Sequence, residues 1–372
     1  MNIPITRVTV GKEEIDAVKN VISSGFLVKG KNVEEVEKLL AKISKRKYAV
    51  MLTSGTVSLN TATTILGLKP KDEVIVPAFT FQATATAVAY AGARLVFSDI
   101  KPDTYNLDSK DVEKRITKKT KAIITVDLFG NPYNYTSINE IAKKHNLFLL
   151  EDAAQAVGAS YKKRPTGSLG DISIYSFYGS KIITSGEGGM LLTDNYDLYE
   201  KAMLYRNHGE AKDKDRKYYF TEIGYNFMPT DIQGALLLSQ AKKLGRFVQL
   251  RNRAAKYYSA NLEDVQGLVT PYVEKSDICS FSVYTIRILP EFGSRDEVLT
   301  KLNENGVGAR VYYPHPLHLQ PVWKKLGYKF KKGDFPGAEL AANQVLSLPI
   351  FPVITKKEQD YIISTLLKLK KV

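Results

Sequence analysis

Between residues 47 and 193, short apolar runs alternate with helical stretches, and this rhythm constrains the fold more than any other feature. The runs at 47–52, 73–76, 94–97, 121–127, 147–150, 172–177 and 189–193 read as strands. Helical patterns at 57–66, 82–91 and 137–145 fall between them, and Pro77 closes the second strand. Such alternation predicts an α/β fold with a wound, mostly parallel sheet. From about residue 240 the pattern changes. A long polar helix at 240–262 leads to a strand at 282–288 and helices at 295–305 and 358–370. We therefore expect a large domain over 1–245, including an N-terminal arm, and a smaller α+β C-terminal domain over 246–372.

Composition narrows the function classes. With 44% hydrophobic and 25% charged residues, the chain is ordinary globular protein rather than disordered or fibrous. Its lone cysteine, Cys279, cannot form an internal disulfide, which fits a reducing compartment. The first twenty residues carry charge throughout and lack the apolar stretch of a signal peptide. The weakly polar run 83–97 is interrupted by Arg94 and is shorter than the ~20 residues a membrane span requires. A cytoplasmic protein without a membrane partner is expected. The net charge of +14 invites an anionic partner, but the lysines lie scattered at 118–121, 324–332 and 367–371. No zinc-finger, leucine-zipper or aromatic RNA-binding signature accompanies them, so no nucleic-acid partner is expected.

Ligands in open α/β sheets sit beyond the carboxyl ends of strands, and three informative segments fall there. Thr53-Ser54-Gly55-Thr56 joins a strand to a helix; its glycine, hydroxyls and free helix-start amides suit a phosphate, although the same residues are ordinary helix caps. Glu151-Asp152 follows an apolar strand, where a carboxylate needs a cation or a donor. A protonated pyridine nitrogen, a structural arginine or a metal could each serve, the last disfavoured by the lack of a nearby histidine. Lys181 follows the strand at 172–177 and precedes Ser185-Gly186-Glu187-Gly188-Gly189. Partial desolvation there would favour the neutral amine that Schiff-base chemistry requires; a solvated surface lysine is the plain alternative.

Taken with SGTVSLNTA (54–62), DEVIVPAFTFQATATAV (72–88), VDLFGNP (126–132), EDAAQAVGA (151–159), SFYGSKIITSGEGGM (176–190), IGYNF (223–227), PLHLQP (316–321) and LSLPIFP (346–352), the chain resembles the DegT/StrS family of nucleotide-sugar aminotransferases. The resemblance implies a fold type I transferase dependent on pyridoxal 5′-phosphate (PLP). It implies that Lys181 holds PLP and shuttles protons, Asp152 keeps the pyridine nitrogen protonated, and Gln155 contacts the ring hydroxyl side. Phe81 would stack on the ring, and Gly55, Thr56 and Ser176 would bind its phosphate. Asn226 would reach the cofactor of a neighbouring subunit, implying a homodimer with shared sites. Tyr313 and His318 would line the substrate pocket, and Lys29 would touch a substrate diphosphate.

The implied reaction is a ping-pong transfer from L-glutamate to a nucleotide-linked keto sugar. The run after Lys181 favours a 4-keto-6-deoxy hexose over a 3-keto sugar, as in the perosamine synthases, within amino-sugar and surface-polysaccharide biosynthesis. From another class, a nucleic-acid-binding regulator is the alternative. Two departures from the family pattern stand out: Met228 where arginine is common, and Val57 and Asn60 where alanine and histidine are more usual.

Overall fold

The computed structural model describes residues 1–211 and 218–370; Lys371, in the basic run 367–371, lies outside the described residues. The strands are β1 (Tyr48–Leu52), β2 (Glu73–Pro77), β3 (Arg94–Ser98), β4 (Thr120–Val126), β5 (Phe148–Asp152), β6 (Ser160–Tyr161), β7 (Arg164–Pro165), β8 (Ile172–Ser176), β9 (Gly189–Thr193), β10 (Leu268–Val269), β11 (Tyr284–Ile288) and β12 (Val345–Leu348). Seven of these form the main sheet in the order β1-β9-β8-β5-β4-β2-β3. Only β9 runs against its neighbours, pairing antiparallel with β1 and β8, while β2 with β3 and β4, β4 with β5, and β5 with β8 are parallel. The α/β, mostly parallel architecture is thus present.

The helices are α1 (Lys12–Ser24), α2 (Lys31–Ile43), α3 (Gly55–Ile65), α4 (Gln82–Tyr90), α5 (Ser109–Arg115), α6 (Tyr135–His145), α7 (Tyr196–Arg206), α8 (Asp231–Lys242), α9 (Leu244–Leu262), α10 (Arg295–Glu304), α11 (Pro321–Lys325), α12 (Pro336–Gln344) and α13 (Lys356–Leu367). Strands buried on both faces read as continuous apolar runs because helices cover both sides. In β2, Val74 and Val76 enter the core shared with α3 and α4, while Ile75 enters the opposite core with Ile138 and Ile141 of α6. All the parallel strands end at one edge. This brings the segments after β1, β2, β4, β5 and β8 together there, a consequence of the parallel order that local sequence does not display.

The C-terminal unit is built on β10-β11-β12, antiparallel throughout. Helix α9 joins the two units. Its Leu244, Phe247 and Val248 pack in a main-sheet core, and its Ala254, Ala255, Tyr258 and Leu262 in the smaller one. The expected helix at 240–262 is in fact two, since α8 ends and α9 starts at Lys243. The units also exchange material. Leu317, Trp323, Phe335 and Ala338 return to the main-sheet core. Ile3, which the sequence grouped with residues 1–245, packs in the smaller core, where its amide donates to Gly306 O (2.8 Å) and its carbonyl accepts from Gly308 N (2.8 Å). Among the described residues, no helix is long and apolar enough to cross a membrane.

Helices α1 and α2 are additions to the expected elements; α2 carries an apolar stripe of Val33, Val36, Leu40 and Ala41 that packs in a main-sheet core. A buried carboxylate fastens α1. Glu14 accepts hydrogen bonds from Gly11 N, Ser239 Oγ, Gln240 Nε2 and Lys243 Nζ. Burial pushes its pKa up, but the bonds from Lys243, Gly11, Ser239 and Gln240 together outweigh burial and hold the carboxyl at about 2. A depressed carboxyl stabilises the fold above its unfolded value and loses that contribution as pH falls toward its folded value. Glu14→Gln should therefore lower the Tm at neutral pH, and the deficit should shrink as thermal melts are taken from about pH 5 toward about pH 2. A deficit equal at every pH would show that the charge contributes nothing.

Candidate active site

The converging strand ends enclose a cavity of about 730 Å³ between the two units. Gly55, Thr56, Phe81, Asp152, Gln155, Ser176, Lys181 and Tyr313 all line it. Residues scattered over more than 250 positions of sequence thus meet in one place.

The wall beyond β1 is the start of α3. Ser54 caps this helix, its Oγ accepting from Val57 N (3.2 Å). The first amides of a helix have no acceptor within it, so Gly55 and Thr56 present N–H groups where the helix dipole is positive. Gly55 must lack a side chain, because a Cβ would lie 2.7 Å from Ser176 Cβ. Backbone and Ser176 hydroxyl therefore approach closely, as a phosphate cradle requires.

Asp152, at the end of β5, is buried. Its Oδ2 accepts from Thr84 Oγ1 (2.8 Å) and its Oδ1 from Ala154 N (3.2 Å). Burial raises its pKa, and these two bonds with the nearby Lys181 only partly offset that, leaving the carboxyl above its ordinary value. A carboxylate so placed favours an added cation. Thr84 was not singled out from the sequence. It lies one helical turn beyond Phe81 in the 72–88 motif, and that i, i+3 spacing is the signal that could have found it.

Lys181 follows β8 and is half-buried. Burial depresses its amine to about 8, against a smaller upward pull from Asp152. At pH 7.5 roughly a quarter of such amines are neutral, against about one in a thousand for an ordinary lysine, so the site suits covalent capture of a carbonyl.

The remaining wall comes from both units. Gln155 donates through Nε2 to Tyr313 Oη (2.7 Å), and its Oε1 accepts from Phe129 N (2.9 Å), which fixes the amide orientation. Tyr313 holds a φ of 62°, an uncommon conformation for a bulky residue, and stacks on Phe129 with ring centroids 6.3 Å apart. Phe81 is 58% exposed, so it is a cavity wall rather than core. Ile5, Thr6, Tyr178, Glu187, His315 and Gln320 are among further lining residues that were not expected. The first two arrive because Ile3 is anchored beside Gly306 and Gly308, a long-range placement with no local signature.

Three expected residues lie elsewhere. His318 is a core residue. Its ring packs against Phe335 (4.7 Å), Nε2 meets Glu339 Oε1 at 3.1 Å, and its side chain is 0% exposed. The Pro316–Gln320 turn directs it inward and leaves His315 facing the cavity. Asn226 is exposed on a strand-like segment bridged to Asn207, outside the cavity. Lys29 pairs with Glu34 at 3.3 Å on the loop before α2, also outside it. Met228 does not line the cavity either.

The cavity thus offers a desolvated amine, a buried anion and an open helix start, the donor set for a phosphorylated pyridine aldehyde. PLP fits these residues: Lys181 for the aldehyde carbon, Asp152 for the ring nitrogen, and Gly55, Thr56 and Ser176 for the phosphate.

A site of this kind on this fold defines an aminotransferase. The DegT/DnrJ/EryC1/StrS aminotransferase family model matches residues 8–367, and the chain belongs to that family. It is a PLP-dependent enzyme of the α/β aminotransferase fold, and a solved relative has been captured in a PLP form. It is 39% identical to a pleiotropic regulatory protein of Geobacillus stearothermophilus, covering 98% of this chain and 97% of that one. It is 38% identical to a GDP-perosamine synthase of Caulobacter vibrioides, over 91% of this chain and 90% of that one. The structure of Helicobacter pylori PseC, an aminotransferase involved in the biosynthesis of pseudoaminic acid, superposes with a TM-score of 0.94. That match has 30% identity and covers 100% of this chain and 99% of the other.

Two outcomes follow from this geometry. In the cofactor-free protein, the rate at which an amine reagent labels Lys181 should rise with a midpoint near 8, and Asp152→Asn should move the midpoint lower by removing the counter-charge. A wild-type midpoint above about 10 would contradict the desolvated lysine. His318→Ala should lower the Tm while leaving the KM for substrate within about twofold, as expected of a packing residue.

Proposed function

We propose that the protein moves an amino group from L-glutamate to the keto carbon of a nucleotide-linked sugar, a 4-keto-6-deoxy hexose, in two half-reactions sharing one site. The reading belongs to amino-sugar and surface-polysaccharide biosynthesis. The observation that carries it is the depressed amine of Lys181 standing with buried Asp152 in a cavity walled by both units. The GDP-perosamine synthase relative supports a nucleotide-linked sugar as acceptor. The run 180–189 supports the 4-keto choice by its likeness to that branch of the family.

PLP supplies an electron sink that lets nitrogen leave one carbon and join another without release of ammonia. Asp152 would hold a proton on the ring nitrogen through a buried negative charge kept in aim by Thr84 and Ala154 N. Gly55, Thr56 and Ser176 would bind the phosphate end. Phe81 would lie beside the ring, and Gln155, locked by Phe129 N and Tyr313, would bond its hydroxyl side. Lys181 would hold the aldehyde carbon and, as a neutral amine, would take a proton from the amino-acid α-carbon in one half and return one to the sugar carbon in the other. The products balance as 2-oxoglutarate and an amino sugar.

A homodimer accounts for the two residues left outside the cavity. Ile223 is 89% exposed, Tyr225 52% and Val28 66%, so the segments carrying Asn226 and Lys29 present apolar surface. In this reading each would face the cavity of a second copy, Asn226 at the phosphate and Lys29 at the sugar diphosphate.

The PLP-loaded protein given L-glutamate alone should convert its bound cofactor to pyridoxamine phosphate and release 2-oxoglutarate in equal amount, and a panel of 4-keto and 3-keto nucleotide sugars should then regenerate PLP fastest with the former. Indifference to glutamate would sink the donor, and preference for a 3-keto sugar would sink the acceptor. Mixed Lys181→Ala and Asn226→Ala subunits should regain activity that neither has alone, if sites are shared.

A further inference from the structure

Lys181 borders a second, much smaller chamber. It measures about 10 Å³ and lies where the N-terminal arm meets α8, α9 and the loop after β8. Arg7, Thr9, Lys181, Thr184, Gln240 and Arg251 are in its lining, and among the described residues no Asp or Glu is. A space of this size admits one small species and no organic molecule.

Two of the lining side chains have their hydrogen bonds elsewhere. Thr184 Oγ1 donates to Phe177 O (3.0 Å), and Gln240 Nε2 donates to Thr9 O (2.9 Å) and Glu14 Oε1 (3.1 Å). Two others keep a donor in reserve. Thr9 Oγ1 and Arg251 Nε are buried atoms without a hydrogen-bond partner among the described residues. Native interiors rarely leave such groups unanswered.

The three cations are also unequally matched. Arg7 pairs with Glu358 (3.0 Å) and lies over the Phe351 ring, and Lys181 feels the charge of Asp152. Arg251, on α9, is 2% exposed and has no acidic partner. Its Nη1 donates to the carbonyls of Phe281 (3.0 Å), Ser282 (3.4 Å) and Ile350 (3.1 Å). Those carbonyls satisfy hydrogen bonds and leave the charge uncompensated. Burial alone lowers the guanidinium, to about 10, so it stays charged at neutral pH. A buried charge without a counter-charge is costly. A water molecule could accept from both free donors but brings no charge, and a carboxylate or phosphate is too large for the space. A monatomic anion meets both needs.

We propose that this chamber binds one halide-sized anion, chloride, between Arg251 Nε and Thr9 Oγ1, and that the ion acts on the protonation of Lys181. Bound there, it supplies the missing counter-charge of Arg251 and fastens the N-terminal arm to α9. Lys181 lines this chamber and the large cavity, so an anion in the smaller one favours its charged form, in the same sense as Asp152 from the other.

Crystals of the PLP-loaded protein grown in bromide, measured at the bromine absorption edge, should show an anomalous peak within hydrogen-bond reach of Arg251 Nε and Thr9 Oγ1. In solution, the Tm of the PLP-loaded protein should rise saturably with chloride, and not with gluconate at equal ionic strength. Thr9→Val deletes a hydroxyl that has no partner within the chain. It should raise the half-saturating chloride concentration about tenfold or more, the effect of losing one hydrogen bond to a charged group. In the cofactor-free protein, the labelling midpoint of Lys181 should stand higher in chloride than in gluconate. A chamber without a bromine peak holds water only and overturns the proposal. A peak without a chloride-specific rise in Tm would be binding at crystal concentration only, which overturns it equally. Wild-type chloride dependence in Thr9→Val, or a midpoint that chloride leaves unmoved, would also sink it. Should Thr9→Val not fold, the bromide map and the wild-type chloride response decide alone. None of these readouts uses the sugar or the amino donor, so they stand apart from the test of those assignments.

Discussion

The structure depends on holding a carboxylate at the end of β5 without giving it a permanent cationic partner. Among the described residues, Asp152 keeps only Thr84 and Ala154 N as direct hydrogen-bond donors, with Lys181 acting across space. An uncompensated buried charge costs several kcal/mol, so the surrounding fold must supply that stability from elsewhere. It does so through a sheet whose strands are buried on both faces and through capped helices such as α3 and α8. The cavity is poised for a cationic, phosphorylated ring because its own charges are left partly unanswered.

The second unit turns this pocket into a reaction vessel. Tyr313, carried by residues that follow β11 and α10, crosses to Gln155 and packs on Phe129, so cavity walls from both units are connected by one hydrogen bond and one ring contact. The N-terminal arm reaches the same cavity from the small core. Neither contact tolerates free movement of the units, since α9 belongs to both cores.

Much of this was legible in the chain. Strand runs 73–76 and 172–177 read correctly because burial on both faces removes alternation and leaves continuous Val, Ile and aromatic residues. Lys181, Asp152 and Gly55 could be picked because each breaks an apolar or helical pattern at a strand end. Helices α1 and α2 escaped because charged residues dominate the segment, although Val33, Val36, Leu40 and Ala41 of α2 form a buried apolar stripe and Glu14 and Asp231 fasten the two helices across more than 190 residues. His318 misled for a related reason. A histidine in a loop motif carries no mark of which way the turn points it, and Phe335 and Glu339 arrive later in the chain to bury it.

Sequence alone determined the alternation of elements, the family and which chemical groups stand at the strand ends, because these reside in short segments whose spacing survives without the fold. Tertiary structure decided which groups share a cavity, how far burial depresses Lys181, and that His315 rather than His318 lines the cavity. Each of those depends on distances and solvent exclusion between residues remote in sequence, and electrostatic energies are set by such distances and by the local dielectric rather than by residue type.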